Sequence, residues 1–209
     1  RTWGGVNITP LVGEKLVVGA DNNYLAQARW EALDQARLPV SGLINQQLAD
    51  HSLTLVDRLD IGYLRDEKAH DYYIGNRFHG LIYNPFGLVD TNGTNSLIDI
   101  GRAIVGWDEM TVRLHPGCDA VMVMRTAAAA SVRVTGGRAS SQTSTFASPL
   151  RMRLLMGAWD SGVLEMPMEE GTNTFTEVSA IIPGAAILSA ENRLEIYGDR
   201  AVFAYWFYQ

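Results

Sequence analysis

Hydrophobic and polar residues alternate through most of the chain after its first quarter. Val178, Ala180 and Ile182 alternate up to Pro183, Leu194 pairs with Ile196, and Met152, Leu154 and Met156 repeat the pattern. A period of two puts such residues on one face of a half-buried strand. Further strands are expected over 96–105, 110–115, 119–126 and 131–134, with Pro116-Gly117 dividing the second from the third. Val121, Val123 and Arg125 share one face of 119–126, and Met122, Met124 and Thr126 share the other. Two largely apolar faces imply a central or covered strand. The final stretch sets Phe203, Tyr205 and Phe207 against Val202, Ala204, Trp206 and Tyr208, again heavy on both sides. If Trp206, Phe207 and Tyr208 are buried, deleting them should unfold the domain, whereas loss of Gln209 should be mild.

The front of the chain has a different rhythm. Leu25, Ala28, Ala32, Leu33 and Ala36 recur at helical spacing behind Asn22 or Asn23 as the cap, so a helix is expected over 24–37, ended by Pro39. A second short helix follows from Ser41. Leu53, Leu55, Leu59, Ile61 and Tyr63 fall on odd positions and favour a strand over a helix built on Val56, Leu59 and Tyr63. The segment RDEKAHDYY is too polar for a core and is expected as an exposed loop or a single helical turn. FHGLIY makes a short strand, Asn92-Gly93 a turn, and GGRASSQTSTFASP a loop by composition. Many short strands between Gly and Pro turns predict a mostly β fold, an antiparallel β-sandwich or jelly roll with one or two N-terminal helices. The expected organisation is one domain over 1–209, with residues 20–50 a helical covering segment.

Composition narrows the function classes. With 209 residues, 47% of them hydrophobic, the chain can bury a substantial core, and no apolar run approaches the roughly 20 residues of a membrane span. A net charge of -6, with Lys15 and Lys68 the only lysines, argues against nucleic acid as the main partner. Cys118 stands alone, which excludes an intrachain disulfide. The opening RTWGG carries no methionine or signal-like stretch, as expected of a processed product or an excised domain. A secreted, periplasmic or assembly-associated setting is favoured over a cytoplasmic one.

The succession MRLLMGAWDSGVLEM, TEVSAIIPGAAIL and ENRLEIYGD, within residues 150–209, resembles the back half of galactose-binding-like carbohydrate-recognition sandwiches. The features that carry the resemblance are the turn at Gly157-Ala158-Trp159, the strand end at Ile182-Pro183 and the Asn192-x-Leu194-x-Ile196 strand. It implies a jelly roll and carbohydrate recognition, and transfers no binding residue, because sugar contacts in that family vary in loop position.

The densest polar constellation runs from Arg65 to His79. Tyr72 and Tyr73 would stack on a sugar while Asp71 and Arg77 bond its hydroxyls. Trp107-Asp108 and Trp159-Asp160 look like loop pairs that each join an apolar platform to a hydroxyl acceptor. The bland reading of each pair is a loop anchor, and that of the 65–79 run a solvated surface. Noncatalytic glycan recognition through Asp71, Tyr72, Tyr73, Arg77, Trp107, Asp108, Trp159 and Asp160 is therefore the expected function, with no catalytic residues and no cofactor. The alternative is a structural or oligomer-forming module, such as a shell or secreted-complex component, contacting a copy of itself or a partner through its aromatic end or a sheet edge. A glycan-active hydrolase would use Asp66, Glu67, Asp71 and His70. Calcium would find oxygen ligands at Asp90, Asn92, Asn95 and Asp99, off any EF-hand spacing. His70 and His79 with Asp66 or Asp71 are the weaker set for a transition metal. No nucleophile elbow or phosphate loop is present.

Overall fold

The computed structural model describes residues 2–3, 6–7, 16–17, 29–30, 48–75, 80–86, 97–127, 129–133, 141–145, 149–168 and 176–209. In chain order the strands begin with β1 (Thr2–Trp3), β2 (Val6–Asn7), β3 (Leu16–Val17) and β4 (Arg29–Trp30). Strand β5 (Leu55–Asp60) leads into helix α1 (Leu64–Ala69), followed by β6 (Tyr73–Ile74), β7 (Gly80–Phe86), β8 (Leu97–Ile104) and β9 (Trp107–Arg113). Next come β10 (Ala120–Thr126), β11 (Ala129–Arg133), β12 (Ser141–Thr145), β13 (Leu150–Met156), β14 (Trp159–Asp160) and β15 (Leu164–Met166). The chain closes with β16 (Thr176–Ile182), β17 (Glu191–Tyr197), β18 (Arg200–Val202) and β19 (Ala204–Tyr208).

Two antiparallel sheets form the sandwich. One runs β14-β13-β17-β9-β6, with β15 also on β13, and the other runs β16-β10-β19-β5. Their inner faces share one core: Met110, Val112, Leu154, Met156, Leu194 and Ile196 from the first meet Leu59, Met122, Met124, Ile182, Tyr205 and Phe207 from the second. A third sheet, β12-β11-β7-β8-β18, joins at the corner where Phe203 separates β18 from β19. There the Phe203 N–H bonds the Arg125 carbonyl at 3.0 Å, and its carbonyl accepts from Ile61 N at 2.9 Å. The fold class expected from alternation is the one observed, and β10 is a central strand buried on both faces. On its far side Val123, Ala204, Trp206 and Tyr208 are covered by Leu48, with Leu53 packed alongside. Arg125, buried there with the Glu177 carboxylate 2.8 Å away, lies 5.0 Å from the Trp206 ring.

Several local expectations change. Ser141–Thr145, expected as loop, is β12, its backbone paired antiparallel with β11. Of the helix expected over 24–37, the described residues Arg29–Trp30 pair with Leu16–Val17, and the remainder lies outside the described residues. Residues 48–50 are helical, and no described helix is long and apolar enough to cross a membrane. Gln209 is no loose tail. Its side chain receives the His115 N–H at 2.6 Å and donates to the His115 and Cys118 carbonyls at 3.1 and 2.9 Å, while its backbone bonds Thr54 in both directions.

Candidate functional site

The polar run before β6 is partly internal. Glu67, in α1, is buried; it accepts the Gly62 N–H at 2.7 Å and a two-pronged bond from Arg102 at 2.7 and 2.6 Å. His70, also buried, places Nδ1 2.8 Å from the Asp66 carbonyl and Nε2 3.1 Å from Asp57 Oδ1. Burial works against the imidazolium, but the Asp57 carboxylate and the Asp66 carbonyl outweigh it, so the His70 pKa is raised. The expectation that this segment lay wholly outside the core is corrected. A carboxylate and an imidazole can be buried when every exposed valence finds a partner. Asp71 follows as an exposed turn residue with a positive φ of 47°. Arg77 and His79 lie outside the described residues, as do Asp90, Asn92 and Asn95, together with the Asp99 side chain. Among the described residues no group of three His, Cys, Asp or Glu is placed to hold a metal.

Each aromatic–acid pair singled out in the sequence is split by the strand itself. Trp107-Asp108 opens β9, Trp159-Asp160 is β14, and Tyr73 begins β6 directly after Tyr72. These pairs are therefore strand residues rather than loop residues, and successive side chains point to opposite faces. Asp108 faces inward and is fully buried. Its carboxylate pairs with the buried Arg200 and accepts the Tyr72 and Tyr205 hydroxyls at 2.8 and 2.9 Å. Arg200 Nη2 also donates to Tyr205 Oη at 2.9 Å, and Nη1 to the Gly198 carbonyl at 2.8 Å. Burial alone would lower the Arg200 pKa, but Asp108 holds it above its usual value. Burial and the same carboxylate raise both tyrosines well above theirs, so their hydroxyls stay protonated donors. Trp159 packs against the core. Asp108 and Tyr72 thus build the interior of the sandwich rather than its surface.

The other member of each pair lies on the outer face of the six-stranded sheet. The register places Tyr73 opposite Glu109, Glu109 opposite Glu195, Glu195 opposite Leu155, and Leu155 opposite Asp160, in one row across five strands. The next row sets Trp107 beside Tyr197 and Tyr197 beside Arg153. Tyr73 is 53% exposed; its ring centroid lies 5.7 Å from that of Trp107, which stacks on Tyr197 at 5.9 Å. Trp107 rests on Gly75, where an added Cβ would fall 1.8 Å from ring atom Cε2. Arg153 pairs with Asp160, whose pKa the guanidinium lowers to about 2. Arg193 pairs with Glu109, and Tyr197 Oη donates to Glu195 at 2.8 Å. Tyr73, Trp107 and Asp160 are brought together here; Asp71, Tyr72, Asp108 and Trp159 are not part of this face. Glu109, Arg153, Arg193, Glu195 and Tyr197 escaped the sequence reading, although the inward alternation of Leu194-Ile196 and Met152-Leu154 already turned their neighbours outward.

The sandwich partly matches carbohydrate-binding modules. A module from Cellvibrio mixtus lichenase 5A, solved with cellotriose, aligns over 75% of this chain and 98% of its own length, at 12% identity and a TM-score of 0.40. A family 35 module from Clostridium thermocellum aligns over 73% and 98%, at 10% identity and 0.37. No protein-family model and no curated protein sequence matches the chain.

Proposed function

We propose that the outer face of the six-stranded sheet binds a glycan without transforming it. The observation that supports this is the aromatic cluster of exposed Tyr73 with half-buried Trp107 and Tyr197, flanked by Arg153 and Asp160 on one side and by Glu195 on the other. Aromatic faces offer apolar contact to the C–H face of a sugar ring, and flanking carboxylates and guanidinium groups bond its hydroxyls. The exposed Tyr73 ring covers no core, so contact area is gained with little rearrangement. The test is calorimetric titration with soluble oligosaccharides. Trp107→Ala, measured at a temperature where the variant is fully folded, should weaken binding about tenfold, a loss of roughly 1.4 kcal/mol. Equal affinity for the variant would remove this face from consideration.

Assembly is the second reading, favoured by a different observation. Ile181, 67% exposed, lies on β16 at the edge of the four-stranded sheet, and Leu188, 79% exposed, lies shortly after it. Among the described residues β16 has no second strand partner, and such an edge is open to pairing with another strand. The aromatic end of the chain does not serve this reading, since β19 is buried on both faces. Sedimentation of the wild type and Ile181→Glu decides it: an oligomer that the variant dissociates supports assembly, and a monomer in both cases defeats it.

A further inference from the structure

We propose that Glu195 sets the charge selectivity of the outer face, so that it prefers glycans bearing protonated amines to neutral ones and disfavours those bearing carboxylates or sulfates. This rests on the glycan-binding reading of the same face.

The charges of that face are unevenly matched. Arg153 is paired with Asp160, and Arg193 with Glu109. Glu195 has no cationic partner among the described residues; its carboxylate accepts one hydrogen bond, from Tyr197 Oη. It also stands at the centre, since β17 is the middle strand of β14-β13-β17-β9-β6. A carboxylate offers about four acceptor positions, so one bond from a phenol leaves room for ligand donors. In register, Glu195 directly faces Glu109. Like charges opposite one another on antiparallel strands destabilise the pairing, and Arg193 neutralises only one of the two. Glu109 is buried and paired with Arg193, so Glu195 carries the uncompensated charge: a ligand cation beside it would relieve the repulsion, and a ligand anion would add to it.

The aromatic row strengthens the same preference. Trp107 and Tyr197 occupy the row beside Glu195, and their ring faces attract an ammonium group. An amine over these rings and within reach of Glu195 meets both attractions together. The Tyr197 phenol is raised above its ordinary pKa, first by its bond to Glu195, so it stays a donor and adds no charge. Arg153 does not cancel the effect, because its guanidinium is held by both oxygens of Asp160.

The experiment compares three tetrasaccharides of matched length: fully deacetylated tetraglucosamine, cellotetraose and tetragalacturonate. Affinities are measured by calorimetry at mildly acid pH, where amines and glutamates are both charged. At low salt the expected order is amine, neutral, acid, with about five- to tenfold between successive members. Glu195→Gln keeps an acceptor for Tyr197 and should bring the three close to equality without lowering the unfolding midpoint. In ~1 M salt, where the screening length falls to about 3 Å, the wild-type order should also flatten. If all three bind equally, or the acid binds best, and Trp107→Ala still weakens binding about tenfold, the aromatic face stands and the role of Glu195 is overturned. If none binds, the glycan reading itself fails and this inference with it.

Discussion

Replacing Asp108 by Asn separates the interior of the sandwich from its surface. Asp108 is fully buried and joined to three groups: the Arg200 guanidinium, also fully buried, and the hydroxyls of Tyr72 and Tyr205. Asparagine has nearly the same shape but no charge, and it turns an NH2 toward groups that donate. The Arg200 cation then stays buried without a counter-charge, and its Nε already has no hydrogen-bond partner. Breaking one side of a buried pair costs about 3–5 kcal/mol. Against a typical reserve of about 5–15 kcal/mol, that is a large share of total stability. For a chain of this length it corresponds to roughly 6–20 °C in Tm. Urea unfolding followed by tryptophan fluorescence measures it, with Trp107→Ala in parallel. Asp108→Asn should lower the midpoint far more than Trp107→Ala, which should weaken glycan binding about tenfold. A loss below about 1 kcal/mol, the level of an exposed ion pair, would refute the buried-network argument. A double-mutant cycle with Arg200→Met adds a second check, since the two losses should be far from additive.

The remaining predictions concern other internal contacts. The His70 pKa is raised in the fold, so its contribution is fully present below the unfolded value of 6.5 and is lost as pH rises through the folded value. The groups that face it are Asp57, the Asp66 carbonyl and Arg113. Urea midpoints measured from mildly acid to alkaline pH should fall for the wild type relative to His70→Gln, and parallel curves would count against this reading. Gly75→Ala puts a methyl group into the Trp107 ring; it should displace the indole, cost about 1–3 kcal/mol and weaken glycan binding in calorimetry. Gln209→Ala removes three side-chain bonds to the 115–118 turn and should cost about 1–2 kcal/mol in chemical denaturation.

The architecture was legible because burial on one face leaves its mark on every second residue. Met152-Leu154-Met156, Val178-Ala180-Ile182 and Leu194-Ile196 all point inward as their alternation required. Aromatics and aliphatics on both sides of β19 likewise required two covers. The candidate face was harder to see, because it is written across five strands rather than along one. Tyr73, Glu109, Glu195, Leu155 and Asp160 are spread over more than 120 residues and meet only through register. No local pattern states which residue of β9 lies opposite Glu195. Sequence proximity also misled in a regular way: Trp107-Asp108 suggested one site, but adjacent residues of a strand serve opposite faces. Polarity misled at Glu67 and His70, whose partners Arg102 and Asp57 lie 35 and 13 residues away.

That splitting explains how one short strand serves two purposes. Asp108 is fixed from inside by Arg200, Tyr72 and Tyr205, and the backbone on either side of it carries Trp107 and Glu109 outward. Tyr72 is held by the same carboxylate, and the next residue is Tyr73, so the buried acid fixes two of the three rings on the face. The third ring, Tyr197, lies opposite Trp107 and precedes Gly198, whose carbonyl receives Arg200. All three rings are thus tied within one or two residues to one interior ion pair. A polar core of this kind is a poor source of net stability when weighed against well-packed apolar residues. It does fix the positions of the strands that emerge from it, and a rigid scaffold lets a partly exposed aromatic cluster bind without first paying to become ordered. The acid that first looked like a ligand contact is thus placed to hold the contact surface in position from behind.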